Sequence, residues 1–338
     1  MNNGYNVAVV GATGAVGEEM LKILQQRNFP LRNLRVLASE RSEGKMLKFK
    51  EGKLKVEKLS SASLKGIEIA LFSAGASISR EFSPKMVRMG AVVVDNSSGF
   101  RMEKNVPLIV PEVNPWALKN HQGIIANPNC STIQLVVAIN PIHLRTKIKR
   151  MIISTFQAVS GTGRKAIFEL EKQSESYLTG SSIIREVYPH QIAFSLLPHI
   201  GKFLSNGYTD EEIKLVNETR KIMEDQSIAI TATCVRVPVF ISHSEVVTLE
   251  TEEKINVEEV REILASSPGI IVKDEPQKNF YPLPIETAGK NEVFVGRIRE
   301  AEGIPNGLNL WIVADNLRKG AALNTIQIAE LLIQEGLI

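Results

Sequence analysis

Cysteine is scarce in this sequence, since only Cys130 and Cys234 occur among 338 residues. The two are far apart and in no metal-ligand spacing, which argues against a disulfide framework and against a zinc site. The net charge is only +3, with no basic block or tail, so we expect no nucleic-acid partner and no membrane partner. There is no recognisable signal peptide, no repeat and no apolar run long enough to cross a bilayer, and we expect a cytoplasmic protein.

The composition is that of an ordinary globular protein, with 43% hydrophobic and 23% charged residues. A chain of 338 residues is long for one hydrophobic core. We therefore expect two domains, the first of them carrying nucleotide-binding features.

A dinucleotide-binding turn is predicted near the start. The β-rich run Tyr5–Val10 leads at once into GATGAVG and then into apolar residues at helical spacing. In this G-x-x-G-x-x-G pattern, Gly11 would make the tight turn, Gly14 would let the backbone approach a pyrophosphate, and Gly17 would allow close helix–sheet packing. The alternative is an ordinary glycine-rich turn. The predicted cofactor contacts here are Gly11, Thr13, Gly14, Ala15 and Val16.

The end of the second predicted strand, 34–39, distinguishes NAD from NADP. An acidic residue there would bond the ribose 2′-hydroxyl, whereas a nearby Arg accommodates a 2′-phosphate. Ser39, Arg41 and Ser42 supply two hydroxyls and a guanidinium, which favours NADP. Glu40 would repel the phosphate unless it points to solvent, and Arg41 could instead be a solvated loop charge.

Small and hydroxyl-bearing residues follow the later predicted strands. The strand at 67–72 ends near Ser73 and Gly75, where a cofactor lies across an open α/β sheet. The strand at 91–95 ends in NSSGFR, and Arg101 there indicates either an oxyanion site or a surface charge on a polar turn. Strands at 108–111 and 123–126 are predicted to complete the sheet, which then leads the chain to a cysteine.

That cysteine lies in the hexapeptide NPNCST. Pro128 keeps Asn127 extended, so a helix should begin at or just after Cys130. Unpaired backbone N–H groups and the positive end of the helix dipole would favour thiolate over thiol. Cys130 is therefore a candidate nucleophile, and the alternative is a small core residue.

The second half begins with a predicted strand at 151–159 and a glycine-rich turn, SGTGRK, that is too short for a P-loop. Thr209 opens a capping box before a helix on which Glu211 and Lys214 share a face, either as site residues or as a surface ion pair of little energy. Further strands are predicted at 228–240, 246–250 and 310–315, and helices at 257–265 and 321–337.

Among five histidines, His243 is the best candidate proton carrier, because Arg236 precedes it by seven residues and hydroxyls flank it. Its ordinary pKa lies near the working pH, as acid–base catalysis requires. Most isolated histidines are core or surface residues, and we interpret the other four that way. Cys234 is interpreted as a core residue.

These motifs together resemble the bacterial aspartate-β-semialdehyde dehydrogenase family along essentially the whole chain. PNCST in combination with QAVSGTG from Gln157 is highly specific, whereas the glycine turn alone is not. Ser242 stands where many members have Gly or Cys. The other matching stretches are GATGAVG, residues 96–101, EEIK at 211–214, CVRVP around Arg236, HSE at 243–245 and ADNLRKGAA near the C-terminus.

Two alternatives stay open. N-acetyl-glutamyl-phosphate reductases share the fold and the thioester chemistry, but their cysteine lies in a PGCYPT-like context that this sequence lacks. A non-catalytic NADP-binding paralogue would use the fold as a scaffold. It would need none of Cys130, Gln157, Arg236 and His243, all of which are present.

The resemblance implies an α/β fold with two domains. A Rossmann domain, 1–129 with 317–338, would bind NADP, and 130–316 would form an α/β catalytic and dimerisation domain, with the last helix returning to the first domain. The implied protein is a homodimer that acts on aspartate semialdehyde and phosphate without a metal, in lysine, threonine and methionine biosynthesis.

The resemblance also implies residue roles. Cys130 would attack aspartyl-4-phosphate and expel phosphate, and NADPH would reduce the resulting thioester to the semialdehyde. His243 would be the general acid/base, and Gln157 would orient the acyl group or the oxyanion. The other implied contacts are Arg236 to the substrate α-carboxylate, Glu211 to its α-amino group, Asn129 to the substrate, Arg101 and Lys214 to phosphate, and Ser160, Gly161 and Asn316 near the nicotinamide.

Overall fold

The computed structural model describes residues 4–338, which form two compact units. Unit 1 consists of Met1–Asn129 with Ala321–Ile338, and unit 2 consists of Cys130–Gly320. Within residues 4–338, no helix has both the length and the apolar character needed to cross a bilayer.

The strands are β1 (Tyr5–Val10), β2 (Leu31–Ala38), β3 (Met46–Phe49), β4 (Gly52–Lys55), β5 (Glu57–Lys58), β6 (Ile69–Phe72), β7 (Val92–Asp95), β8 (Ile124–Ala126), β9 (Ile148–Gln157), β10 (Ala229–Arg236), β11 (His243–Thr251), β12 (Ile270–Val272), β13 (Val293–Glu300) and β14 (Gly307–Ala314). The helices are α1 (Ala15–Gln26), α2 (Ala76–Arg88), α3 (Cys130–Arg145), α4 (Arg164–Thr179), α5 (Asp210–Ile222), α6 (Val257–Ser266), α7 (Pro284–Thr287) and α8 (Leu323–Gln334). In unit 1, α1 connects β1 to β2 and α2 connects β6 to β7, whereas β2 to β6 follow one another without an α-helix.

Unit 1 is a parallel sheet in the order β5-β2-β1-β6-β7-β8, with the β3–β4 hairpin beside it. Alternate residues of β1 enter separate cores: Val7 and Val9 pack with α1 and α8, whereas Ala8 and Val10 pack with α2. The sheet is therefore covered on both faces. Its strand order reverses at β1, and α/β sheets of this kind bind ligands at that point.

Helix α8 returns to unit 1 from the far end of the chain, which confirms that prediction. Leu323, Ile326 and Ala329 are buried in the core that α1 and β1 share. Asn324 donates from Nδ2 to the carbonyl of Ile109 (3.0 Å) and to Oδ1 of Asn127 (2.8 Å). These bonds attach the helix to the carboxyl edge of the sheet.

The predicted strand at 108–111 is wrong. Only one bridge forms there, between Leu108 and Ala126. The side chain of Asn114 takes the hydrogen bonds that a strand neighbour would make, since its Oδ1 accepts from Val110 N (2.9 Å) and its Nδ2 donates to Leu108 O (2.9 Å).

Unit 2 contains a mixed sheet in the order β10-β9-β11-β14-β13-β12. Strand β9 is parallel to β10 and antiparallel to β11. Helices α3, α5 and α6 pack on one face, where Ile153 and Val247 are buried. On the other face Ile152 is 46% exposed.

In unit 2 one predicted strand was too long, and some elements were not predicted. The run 228–240 stops being a strand at Arg236, because Pro238 has no N–H for a ladder. Strand β13, which was not predicted, shifts register between Gly296 and Arg299 and so lacks a clean alternation of burial. Helix α4 was not predicted either.

Candidate active site

Helix α3 begins at Cys130, as predicted. The helix is buried almost all round, whereas Cys130 is only partly buried. The π-helical turn Arg318–Ala322 passes beside it. A Cβ placed on Gly320 would lie 2.9 Å from the Cβ of Cys130, so a side chain there would displace the thiol.

Three predicted site residues lie in one row across the unit 2 sheet. Arg236 is the register partner of Gln157. The antiparallel register of β11 on β9, continued one residue past Ser244–Phe156, sets His243 on the other side of Gln157. Register partners project to the same face. The ends of three strands therefore bring a guanidinium, an amide and an imidazole together, although the sequence separates them by as much as 86 positions.

His243 is completely buried. Its Nδ1 accepts a hydrogen bond from the backbone N–H of Ala158 (3.0 Å), and its Nε2 has no partner. Burial, and then the charge of Arg236, hold the pKa of His243 well below its ordinary value. The resting ring is therefore neutral and carries its proton on Nε2, the atom free to donate.

Arg236 is 5% exposed and is fixed by the same loop. Its Nη1 donates to the carbonyl of Ala158 (2.6 Å), whereas its Nε has no partner. The Nη1 atom of the guanidinium is thus hydrogen-bonded to the backbone. The edge that carries Nε is available to an anion, and a carboxylate can accept two hydrogen bonds from that edge.

Glu211 and Lys214 lie on the first turns of α5, behind the predicted capping box of Thr209 and Glu212. Gln157 Nε2 contacts Glu211 Oε1 at 3.5 Å, which joins α5 to the row. Lys214 Nζ lies 3.7 Å from Glu211 Oε2 and 2.9 Å from Asp210 Oδ2. The structure therefore brings Glu211 and Lys214 beside Gln157.

The turn Val159–Thr162 borders this cluster. A Cβ on Gly161 would lie 3.0 Å from Arg236 Nη1 and 3.1 Å from His243 Nε2, so the glycine leaves open space over both groups. Asn316 Oδ1 accepts from Ser160 Oγ (3.0 Å) and from Ser242 N (3.0 Å).

Ser242 lies at a strained backbone position. Its φ is +80°, in the region that favours glycine, and its buried hydroxyl has no hydrogen-bond partner.

In unit 1 the glycine turn has the geometry of a dinucleotide site. Gly11 has φ +83°, and a Cβ there would lie 2.4 Å from the carbonyl oxygen of Ser73. A Cβ on Gly17 would lie 2.3 Å from Gly11 O. Gly14 precedes α1 with no side-chain cap, so the helix N-terminus can receive an anion. These residues fit a bound pyrophosphate.

The residues predicted to select NADP form the short turn Glu40–Ser42 after β2. Thr13 Oγ1 lies 3.4 Å from Ser42 Oγ, which joins this turn to the glycine turn. Arg41 is exposed. Glu40 pairs with Lys58 at 2.8 Å, is 76% exposed, and has its pKa lowered by that lysine. Glu40 thus points to solvent, as a 2′-phosphate site requires.

Arg101 and Asn129 also belong to unit 1, and both are buried. Arg101 donates from Nε to the carbonyl of Asn127 (3.0 Å) and from Nη2 to the carbonyl of Asn96 (3.0 Å). It therefore ties the loops that follow β7 and β8. Ser73 and Gly75 lie at the neighbouring end of β6.

Sequence reasoning missed Ala158 and Gly320. Ala158 acts through its backbone, which no side-chain pattern reveals, and Gly320 could have been noticed only as the glycine of ADNLRKGAA. Cys234 is buried, and burial raises the pKa of its thiol. Across residues 4–338, no group of three or more His, Cys, Asp or Glu side chains could hold a metal ion.

The fold and the cluster together define an oxidoreductase class in which a dinucleotide-type unit precedes a unit with a cysteine at a helix start. Comparison with known proteins agrees. The family model "Semialdehyde dehydrogenase, NAD binding domain" matches residues 6–121, and "Semialdehyde dehydrogenase, dimerisation domain" matches residues 139–319. The chain belongs to the aspartate-semialdehyde dehydrogenase family.

Three relatives illustrate that membership. The aspartate-semialdehyde dehydrogenase of Aquifex aeolicus is 56% identical, over 99% of this chain and all of the relative. The structure of aspartate semialdehyde dehydrogenase II from Vibrio cholerae complexed with ASA has a TM-score of 0.95 and 46% identity, covering 98% of each chain. The structure of the Candida albicans enzyme with NADP has a TM-score of 0.75 and 25% identity, covering 99% of each chain.

Proposed function

We propose that this protein interconverts L-aspartate 4-semialdehyde and 4-phospho-L-aspartate, with NADP as cofactor and phosphate as co-substrate. The observation that carries the proposal is the cluster in unit 2, where Arg236, Gln157 and His243 form one row of the sheet on which the helix that begins at Cys130 packs. The family's relatives bear the name of this activity.

In the biosynthetic direction, Cys130 as thiolate attacks the acyl carbon of 4-phosphoaspartate. A C–S bond forms, the C–O bond to phosphate breaks, and phosphate leaves with that electron pair. The bound nicotinamide cofactor supplies the hydride that reduces the thioester. The resulting thiohemiacetal oxyanion re-forms its carbonyl and expels the Cys130 thiolate, which regenerates the enzyme. Two easier steps thus replace one difficult reduction.

We assign His243 as the acid/base group of these reaction steps, acting through the proton on its Nε2 atom. A hydrogen bond from that N–H strengthens as charge develops on the acyl oxygen and weakens as the carbonyl re-forms. Gln157 would orient the same acyl group. Its contact with Glu211 supports the role of Glu211 at the substrate α-amino group.

The two anions of the substrate need separate sites. We assign the α-carboxylate to the free Nε edge of Arg236 and the phosphate to Lys214 and Arg101, with Asn129 helping to position the substrate. Lys214 is already paired with two acidic side chains, so phosphate would compete with Asp210 for its ammonium group.

We place NADP on the carboxyl edge of the unit 1 sheet. Gly11, Gly14 and the first turn of α1 would hold the pyrophosphate, and the turn at 40–42 would hold the 2′-phosphate. The remaining proposed contacts are Thr13, Ala15, Val16, Ser73 and Gly75 in unit 1, and Ser160, Gly161 and Asn316 in unit 2.

We further propose a cytoplasmic homodimer assembled through unit 2, with residues 130–316 as its catalytic and dimerisation part. The match to a dimerisation-domain family model supports this assembly. Large apolar side chains along and after α4 are exposed in the single chain, among them Phe168, Tyr177, Leu178 and Phe194.

One assay tests the activity. NADP⁺ reduction is followed with L-aspartate 4-semialdehyde, with and without phosphate, and in parallel with N-acetylglutamate semialdehyde. We expect phosphate-dependent reduction with the first substrate alone. Turnover with the second substrate would point to the reductase alternative, and no turnover with either would point to a non-catalytic scaffold.

Arg41→Ala tests cofactor choice. Loss of one charged hydrogen bond to the 2′-phosphate should raise KM for NADP⁺ about 10- to 100-fold and leave KM for NAD⁺ nearly unchanged. Lys48→Ala removes another exposed cation of unit 1 and serves as the control. Equal losses with both cofactors would show that Arg41 is structural.

Arg236→Lys and Lys214→Ala test the two anion sites. Arg236→Lys keeps the charge but loses the bidentate fork. The ratio of wild-type to variant kcat/KM for the semialdehyde, measured at saturating phosphate, should therefore correspond to a loss of about 2–3 kcal/mol of transition-state stabilisation. Lys214→Ala should instead raise chiefly the KM for phosphate. Lys172→Ala, at an exposed lysine of α4, is the control. The same kinetic pattern in both site variants, or the reverse pattern, would overturn the assignment.

A further inference from the structure

Two buried polar side chains beneath the proposed active site have no role in the mechanism above. Glu245 lies in β11 with no exposed surface, and neither of its carboxyl oxygens makes a hydrogen bond. Gln134 lies in α3, equally buried, and both atoms of its amide also lack partners. Such groups are costly in an apolar interior and need an explanation.

Helix α3 packs on β11, and the Gln134 amide is the one side chain that favours the ionised form of the Glu245 carboxyl. The two side chains therefore lie near each other, although no hydrogen bond of good geometry joins them. A protonated carboxyl and a primary amide are complementary, because each offers one donor and one acceptor to the other.

Their places in the chain relate this contact to Cys130 and His243. Gln134 follows Cys130 by four residues, about one helical turn, or about 6 Å along the axis of α3. Glu245 follows His243 by two residues, about 7 Å along β11 and on the same face. Both elements begin at a proposed active-site residue. Gln134 therefore lies one helical turn beyond Cys130 on α3, and Glu245 lies two residues beyond His243 on β11.

The groups around Glu245 leave its carboxyl neutral. Its register partner on β9 is Thr155, whose own partner on β10 is Cys234. The carboxyl groups of Glu211 and Glu212 on α5 act on that cysteine, and Arg236 lies two residues further along β10. Burial, opposed only in part by the Gln134 amide, raises the pKa of Glu245 well above its ordinary value.

We propose that Gln134 and Glu245 are positioning residues that act as one buried pair, holding α3 against β11 and thereby fixing Cys130 relative to His243. This inference rests on the thioester mechanism proposed above. The pair touches no substrate and works through the two residues that do. Thr155 extends it to the third residue of the row, since its Oγ1 accepts from Gln157 Nε2 at 3.3 Å.

The pair also sets a pH dependence of stability. Because the folded-state pKa of Glu245 lies above its unfolded-state value, the associated stability is fully present below about pH 4.3 and is lost as pH rises towards the folded-state pKa. Glu245→Gln removes this proton linkage. Its melting temperature relative to wild type should therefore increase from pH 5 to pH 8.

The test uses the full-length protein and four variants. Glu245→Leu and Gln134→Leu replace each member by an apolar residue of similar size, Glu245→Gln is the conservative variant, and Thr219→Val is the control. Thr219 is buried in α5, its hydroxyl also lacks a partner, and it has no place in the mechanism. The readouts are kcat, KM, melting temperature and the pH profile of Cys130 alkylation by iodoacetamide.

We expect both leucine variants to fold and to bind substrate with little change in KM. Their kcat should fall about 10- to 100-fold, since a misplacement near 1 Å is worth about that much. The midpoint of Cys130 alkylation should move to higher pH as the thiolate loses its fixed surroundings. Glu245→Gln should retain most of the wild-type kcat, and Thr219→Val should match wild type in every readout.

Wild-type kcat and an unshifted alkylation profile in Glu245→Leu or Gln134→Leu would overturn the proposal. So would a loss in Glu245→Gln as large as in Glu245→Leu, because the ionisable proton would then matter rather than the pair. If one leucine variant does not fold, the result for the other leucine variant decides whether the pair positions Cys130. If the wild-type protein shows no turnover, the proposed function is wrong, and the pH profiles of Cys130 alkylation still test the role of the pair.

Discussion

Cys130→Ala is expected to reduce turnover by a factor on the order of 10⁴ or more, because no other group can form the thioester. The half-buried thiol lies at the first residue of α3, where backbone N–H groups favour the thiolate. The variant should fold and bind NADP⁺ like wild type, since the proposed cofactor contacts of unit 1 are untouched. The measurements are initial rates, NADP⁺ titration by fluorescence and melting temperature.

Cys234→Ala is the matched control for this prediction. Cys234 is the other cysteine of the chain, and burial raises the pKa of its thiol, so it should react slowly with iodoacetate. We expect Cys234→Ala to keep its activity and to lose it on alkylation as fast as wild type does. Substantial turnover in Cys130→Ala, or faster labelling of Cys234 than of Cys130, would remove the thioester mechanism.

His243→Ala is expected to lower kcat about 10²- to 10³-fold, the usual cost of losing one donor to a developing oxyanion. The backbone N–H of Ala158 fixes the neutral ring with its proton on Nε2, and Nε2 has no other partner. His243→Asn, which can still present an N–H, should recover part of this loss. His143→Gln replaces another buried histidine, near the opposite end of α3, and should leave kcat close to wild type.

The pH profile gives a second readout for His243. Because its pKa is lowered, the ring gains a proton only when the pH falls well below about 6.5, the ordinary value for histidine. The acid limb that belongs to His243 should therefore lie below pH 6.5, and kcat should not fall through neutrality on its account. An acid limb at or above pH 6.5 that disappears in His243→Asn would show that the pKa of His243 is not lowered in the enzyme.

Local sequence patterns were sufficient to predict much of the fold, and also the site residues whose positions depend on residues adjacent in the chain. A β-run, glycines at fixed spacing and a helical pattern identified the turn at Gly11, and the proline before Asn129 located the start of α3. The sequence at 108–111 had the apolar character of a strand, but it could not show that the side chain of Asn114 takes the ladder hydrogen bonds.

The arrangement of the candidate site depended on long-range pairing. The sequence identified Gln157, Arg236 and His243 as candidates, whereas their common row follows from strand register, which no local pattern specifies. The tautomer of His243 depends on a backbone group 85 residues away. The orientation of Glu40 depends on Lys58 at the edge strand, and sequence alone had left it open.

The return of α8 has a consequence for synthesis on the ribosome. Unit 1 lacks its closing helix until about 190 further residues have been made, which takes about 10–40 s at ordinary rates of synthesis. During that time the core of α1 and β1 lacks Leu323, Ile326, Ala329 and Leu332, and apolar surface stays exposed. The nucleotide-binding half is therefore made first and completed last. For the same reason, truncation at the C-terminus damages the first half of the chain rather than the neighbouring second half.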